Sequence, residues 1–145
     1  MSFADPRGFA SDNRSGVHPE VLEAIAEAEV IVIGPSNPVI SIGPILNVPE
    51  MRQALLDSPA VIVAVSPIVG GAVLKGPTEA FMRWAGHDAS TEAIAASYAG
   101  LIDGLVADEP VAGLPVLQTD TLMSDAPSRR RVATETLAFA EGLAP

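Results

Sequence analysis

Two short apolar runs, Val30-Ile31-Val32-Ile33 and Ala60-Val61-Ile62-Val63-Ala64-Val65, constrain this chain more than anything else in it. Neither alternates with polar residues, and both are rich in β-branched side chains. That is the pattern of strands covered on both faces, as in a parallel sheet. Each run stops in a loop that cannot extend it. Gly34-Pro35-Ser36-Asn37-Pro38 follows Ile33, and its two prolines lack the amide hydrogen that a ladder needs. Ser66-Pro67-Ile68-Val69-Gly70-Gly71 follows Val65, with Lys75-Gly76-Pro77 close behind. Parallel strands deliver such loops to one edge of the sheet, where ligands of open α/β folds sit.

Helical segments alternate with the strands. His18-Pro19 opens a first helix with Val21, Leu22, Ile25 and Ala28 on its apolar face and Glu20, Glu23 and Glu27 outward. A second runs from Pro49 to Asp57, turning Met51, Ala54 and Leu55 inward, and a third from Pro77 to Ala85, closed by Gly86. Ser90 caps a fourth that ends near Gly100. Gly104–Ala107 and Pro115–Gln118 read as further strands, and a last helix over about 126–142 is expected to bury Val132, Leu137, Phe139 and Leu143. Strands alternating with helices predict an α/β fold with a mainly parallel sheet of about four strands and right-handed crossovers. The pattern occupies residues 18–145 as a single domain, after a polar, aperiodic lead-in over 1–17 expected to be poorly ordered.

Composition narrows the function classes. Hydrophobic residues make up 48% of the chain, yet the longest apolar run is of strand length, far below the roughly 18 residues of a membrane span. The N-terminus lacks the basic and apolar regions of a signal peptide, and there is no cysteine to form a disulfide or a thiolate metal site. A cytoplasmic location is expected. The net charge of −10 argues against nonspecific nucleic-acid binding, which needs clustered cations. Arg129-Arg130-Arg131, opening the last helix, reads as a solvated face or an oligomer contact.

The two loops carry the chemistry. Backbone amides in Gly-rich turns, with hydroxyls such as Ser36 and Ser41, can line an anion-binding concavity. Lys75, the single lysine, either adds a cation to that edge or points into solvent. The Asn37 amide can read a base or a ribose, or can close an Asx-turn. General acids and bases are thin. His18 reads as a helix-start residue and His87-Asp88 as capping chemistry at a helix junction. Asp120 takes a ligand-facing position after the last strand, Asp125 caps the last helix, and Asp108-Glu109 is a solvated pair or a metal site. Neither a Walker A pattern, nor G-x-G-x-x-G, nor a G-x-S-x-G elbow is present.

The run Gly34-Pro35-Ser36-Asn37-Pro38-Val39-Ile40-Ser41-Ile42-Gly43-Pro44-Ile45-Leu46 resembles the signature of the 2-phospho-L-lactate transferase family of deazaflavin (coenzyme F-420) biosynthesis. Val21-Leu22-Glu23-Ala24-Ile25 before it agrees in order and spacing. So do Val65–Gly71, Leu74–Pro77, Tyr98, Asp103-Gly104 and Thr119-Asp120-Thr121-Leu122-Met123 after it. The resemblance extends over roughly 18–140 and concerns the C-terminal half of the family's chain. The glycine-rich strand–loop of the family's first half has no counterpart here.

The resemblance implies a Rossmann-like three-layer sandwich. It also implies transfer of a phospholactyl, or in some members a phosphoenolpyruvyl, group from a guanosine diphosphate-linked donor to a deazaflavin hydroxyl, with release of GMP and a need for Mg²⁺. The metal ligands would lie outside this chain. By the same analogy Gly34, Ser36, Asn37, Ser41 and Gly43 would contact the donor nucleotide or its phosphates, with Gly70, Gly71 and Lys75 in the facing loop. The missing half, or a second copy as a C₂ dimer, is the expected protein partner. The alternative is a nucleotide-binding or regulatory module that does no chemistry.

Overall fold

A computed structural model describes residues 16–73 and 76–145 of the chain. The expected lead-in therefore lies outside the described residues as far as residue 15, and so does Lys75. Four parallel strands form one sheet in the order β1-β2-β5-β6: β1 (Val30–Ile33), β2 (Val61–Val65), β5 (Gly104–Ala107) and β6 (Val116–Gln118). A two-residue-per-strand antiparallel hairpin, β3 (Ile68–Val69) and β4 (Ala72–Val73), rises from the end of β2. Among the described residues no helix is long and apolar enough to cross a membrane.

Because side chains alternate along a strand, β2 and β5 feed two cores. Ile62, Ala64, Leu105 and Ala107 point to one side, where they join Leu55 of α3 (Met51–Asp57), Met82 of α4 (Thr78–Trp84), Ile94 of α5 (Thr91–Ser97), and Tyr98. Val61, Val63, Val65 and Val106 point to the other and meet Val132, Phe139 and Ala140 of α6 (Ala126–Leu143). Helices on both faces of a parallel sheet make this the expected three-layer α/β sandwich. Gly104 marks the closest approach of α6: a Cβ there would stand 2.7 Å from both Leu143 Cδ1 and Phe139 Cε1. The Asp103 carboxylate beside it accepts the Ile62 amide at 2.8 Å, while the Asp103 amide donates to the Ile62 carbonyl at 2.7 Å, tying β5 to β2 where both begin.

Three sequence expectations need correction. Among the described residues Val30–Ile33 lies at the edge of the sheet and is not covered on both faces: Val32 is 43% exposed, beside a groove between β1 and α6. Leu137 is 48% exposed, and Thr136 and Ala140 are the buried residues on that part of α6. Most consequentially, the segment after Asn37 is helical. Pro38–Ile42 makes a single π-turn, with the Ile42 amide bonded to the Asn37 carbonyl and the Gly43 amide to the Pro38 carbonyl. It runs on into α2 (Gly43–Leu46).

The helix ends follow the sequence signals. His18 Nδ1 accepts the Glu20 amide at the start of α1 (Pro19–Glu27), and the Ser90 hydroxyl accepts that of Ala93. Gly86, at φ +83°, ends α4 in a Schellman turn in which the His87 amide donates to the Met82 carbonyl. Asp125 caps α6 in a reciprocal box with Ser128, whose hydroxyl and amide hold the Asp125 carboxyl below its usual range.

Tyr98, only 2% exposed, has its phenol pushed up to about 12 by burial. A raised acid pKa means that the folded chain holds its proton longer than the unfolded one. The contribution is therefore complete below about pH 10 and lost as pH climbs toward 12. Tyr98→Phe is expected to keep the neutral-pH thermal midpoint close to the parent's and to flatten its fall between those two pH values, as followed by circular dichroism.

Candidate functional site

The loops after β1, β2 and β6 meet at the carboxyl edge of the sheet around a cavity of about 760 Å³. That is a size suited to a mononucleotide-class ligand. Ser36, Asn37 and Ser41 line it from the β1 side, Ser66 and Thr78 from the β2 side, and Thr121 from the β6 side. Pro35, Pro67 and Pro77 stiffen all three stretches of the first two walls. No acidic or basic side chain lines the cavity among the described residues. Its polarity is that of hydroxyls and an amide.

Asn37 shows how the local fold prepares this surface. Its Oδ1 accepts the Val39 amide at 2.8 Å and the Ile40 amide at 3.2 Å, capping the π-turn. The Asx reading of this residue is therefore correct for its oxygen. Its Nδ2 is buried and has no partner. Thr121, 2% exposed, has an unpartnered hydroxyl in the same cavity lining. Two unpaired buried polar atoms in residues of one cavity lining are unusual, since an unmet donor or acceptor in the interior costs about 1–3 kcal/mol. Both atoms are closed off from the cavity as well as unpartnered, so a bound molecule would meet them only after the lining opens by a small side-chain movement.

The other residues expected at the site are placed as follows. Gly34 lies on the far side of Pro35, against a groove beside α6. Gly43 closes the π-turn, where a Cβ would stand 2.9 Å from the Pro38 carbonyl oxygen, so its smallness serves backbone packing. Gly70 and Gly71, at φ +59° and +72°, form the two-residue turn of the β3–β4 hairpin, a geometry open to residues without a Cβ. The Gly70 amide donates to the Asp108 carboxylate, which pins the hairpin tip back onto the end of β5. Lys75 falls in sequence between Val73 and Gly76, both of which line the cavity.

The acidic candidates are engaged elsewhere. Asp108 holds the hairpin tip, while Glu109 accepts from the Thr91 hydroxyl at 3.3 Å and is otherwise exposed, in keeping with the solvated reading of that residue. Asp120 accepts the Leu122 amide at 2.9 Å, and its carbonyl takes a hydrogen bond from Arg131. It turns toward α6, and its neighbour Thr121 lines the cavity instead. Arg131 also bonds Glu135 at 3.1 Å and the Thr119 hydroxyl at 3.0 Å, anchoring the end of β6, whereas Arg129 and Arg130 are exposed. Among the described residues no group of three or more His, Asp or Glu side chains stands close enough to hold a metal ion.

The chain matches the family described as 2-phospho-L-lactate transferase CofD over residues 6–132. It is 42% identical over 133 residues to a phosphoenolpyruvate transferase of Kitasatospora aureofaciens, with 85% of this chain and 41% of the relative covered. It is 38% identical over 133 residues to a 2-phospho-L-lactate transferase of Methanopyrus kandleri, with 86% and 42% covered. A protein of the same name from Methanocaldococcus jannaschii is 36% identical over 130 residues, with 86% and 41% covered. The chain thus spans about two fifths of the length of these relatives and corresponds to their C-terminal part.

Proposed function

The chain belongs to the 2-phospho-L-lactate transferase family, and from that premise we propose that it supplies the guanine-nucleotide wall of a transferase active site in coenzyme F-420 biosynthesis. The reaction moves a phospholactyl or phosphoenolpyruvyl group from a guanosine diphosphate-linked donor to a deazaflavin hydroxyl. The acceptor oxygen attacks the phosphorus bearing the acyl-derived group, the bridging bond to the nucleotide phosphate breaks, GMP leaves, and the hydroxyl proton passes to solvent. Such chemistry depends chiefly on positioning and on offsetting phosphate charge. The observation that carries this reading is the cavity lining, where Ser36, Asn37, Ser41, Ser66, Thr78 and Thr121 meet and no carboxylate stands among the described residues. An amide and several hydroxyls donate to phosphate or carbonyl oxygens, and no negative side chain there repels them.

A second reading, a nucleotide-binding or regulatory module that does no chemistry, draws support from the same lining. No acid or base stands among the described residues of the cavity to move a proton. Both readings predict nucleotide binding. Titrating the 145-residue chain with GMP and GDP by calorimetry, with and without Mg²⁺, should give saturable heat and a raised thermal midpoint. No heat and no midpoint shift at millimolar GMP would refute the cavity as a nucleotide site. Transferase activity restored by a polypeptide carrying the family's N-terminal half would decide for the first reading over the second.

A further inference from the structure

Of the three arginines near the start of α6, one is drawn inward. Arg129 and Arg130 are exposed, whereas Arg131 is partly buried and reaches back across the end of β6. Its Nη1 donates to the Thr119 hydroxyl at 3.0 Å and to Glu135 Oε2 at 3.1 Å, and its Nη2 donates to the Asp120 carbonyl. The Thr119 hydroxyl donates to the same Glu135 oxygen at 2.7 Å, so the three side chains close a ring. Arg131 and Glu135 stand one helical turn apart, which brings both to the same face of α6. Such a ring of charge-assisted bonds fixes geometry in a way that a lone surface ion pair does not.

The ring ends where the cavity begins. Arg131 and Glu135 do not line the cavity, whereas Thr121, Leu122, Met123 and Ser124 do. The Asp120 carbonyl that Arg131 holds belongs to the peptide plane entering Thr121. The plane leaving Thr121 contains the Leu122 amide, which donates to Asp120 Oδ1 at 2.9 Å. Peptide units are planar, so holding the planes on both sides of a residue sets its two backbone dihedrals and the direction of its side chain. Thr121 is held in this way, one plane by Arg131 and the other by Asp120.

We propose that Arg131, held by Glu135 and Thr119, is a positioning residue for ligand binding: from outside the cavity it keeps the Thr121–Ser124 wall in the shape that a bound nucleotide meets. This role rests on the nucleotide reading of the cavity. A guanidinium suits it because its fork serves the Asp120 carbonyl from one nitrogen and the Thr119–Glu135 pair from the other. An ammonium is a point charge and cannot hold both in this planar arrangement. The competing account is electrostatic, in which Arg131 draws an anionic ligand through space toward a chain of net charge −10. The two accounts differ in sign at Glu135. Removing that carboxylate breaks the ring, which weakens binding if geometry matters, but it also removes a negative charge, which tightens binding if charge alone matters.

In the 145-residue chain, Arg131→Ala and Glu135→Ala should each weaken GMP binding on the order of tenfold by calorimetry. The thermal midpoint should fall by no more than a few degrees, because both side chains are more than a third exposed. The double variant should bind no more weakly than either single one, as expected of residues that act as one network. Arg131→Lys keeps the charge without the fork and should bind as weakly as Arg131→Ala. Tighter GMP binding by Glu135→Ala, or parent-like binding by Arg131→Lys, would overturn the proposal in favour of the electrostatic account. A second measurement needs no ligand. Amide order parameters at residues 120–122, measured by NMR, should fall from about 0.85 in the parent to below about 0.6 in Arg131→Ala. Unchanged order parameters would overturn the proposal whether or not GMP binds. A parent chain that binds no GMP, with residues 120–122 loosened in the variant, would instead refute the nucleotide reading and uphold the hold of Arg131 on this wall.

Discussion

Asn37→Asp is expected to fold as the parent does and to bind GMP on the order of tenfold or more weakly. The argument turns on the two ends of one side chain. The oxygen caps the π-turn through the Val39 and Ile40 amides, and a carboxylate keeps that acceptor. The nitrogen is the unpartnered buried donor, and the substitution replaces it with a second acceptor that carries charge. A phosphate or carbonyl oxygen that had accepted from the amide would then face repulsion. Asn37→Ala is the control. It removes both ends, so it should also lower stability by about 1 kcal/mol, as the loss of a capping side chain does. Calorimetric titration beside thermal melts separates the two. An Asn37→Asp chain that binds GMP as tightly as the parent would confine this residue to its capping role.

The largest loss of stability is expected from Leu105→Ala. Leu105 is fully buried at the centre of the sheet, paired in register with Ala64 on β2 and Val116 on β6, and belongs to the core that contains Met82, Ile94 and Tyr98. Ala64 is already small, so the neighbouring strand has no bulk with which to refill the space. Truncation should cost about 3 kcal/mol in transfer and cavity terms, a large share of the roughly 5–15 kcal/mol that holds a domain together. Denaturant unfolding should show a midpoint lowered at unchanged slope. A loss below about 1 kcal/mol would mean that the sheet and its helices relax far more readily than their packing implies.

The strands and the helix ends were legible because their signals are local. Runs of Val and Ile stop at Pro or Gly, and Ser90, Asp125 and Gly86 do the capping that their types favour. The π-turn was hidden by Pro38 and Pro44, which read as loop punctuation although proline is tolerated in a first helical turn. The exposure of Val32 and Leu137 could not be read from periodicity, which reports where an apolar residue wants a partner and not whether the partner is there.

The site was legible in its position and less so in its residues. Position after the last strand points to Asp120, while the cavity takes its neighbour Thr121. Several signature residues turn out to hold the frame. Tyr98 fills the core, Asp103 ties two strands together, Gly104 admits α6, and Gly70-Gly71 turns a hairpin. The resemblance therefore mixes residues that build the scaffold with residues that line the cavity, and only the packing separates them.

The π-turn has a consequence for how this segment can vary. Along a helix each residue advances the direction of its side chain by about 100°. Removing one residue between Asn37 and Gly43 would restore an ordinary turn and swing Ser41 off the cavity wall by that angle, while every remaining residue kept its chemical type. In this stretch the number of residues matters more than most of their identities. Homologous chains should accordingly tolerate substitution at Val39 or Ile40 more readily than a gap there.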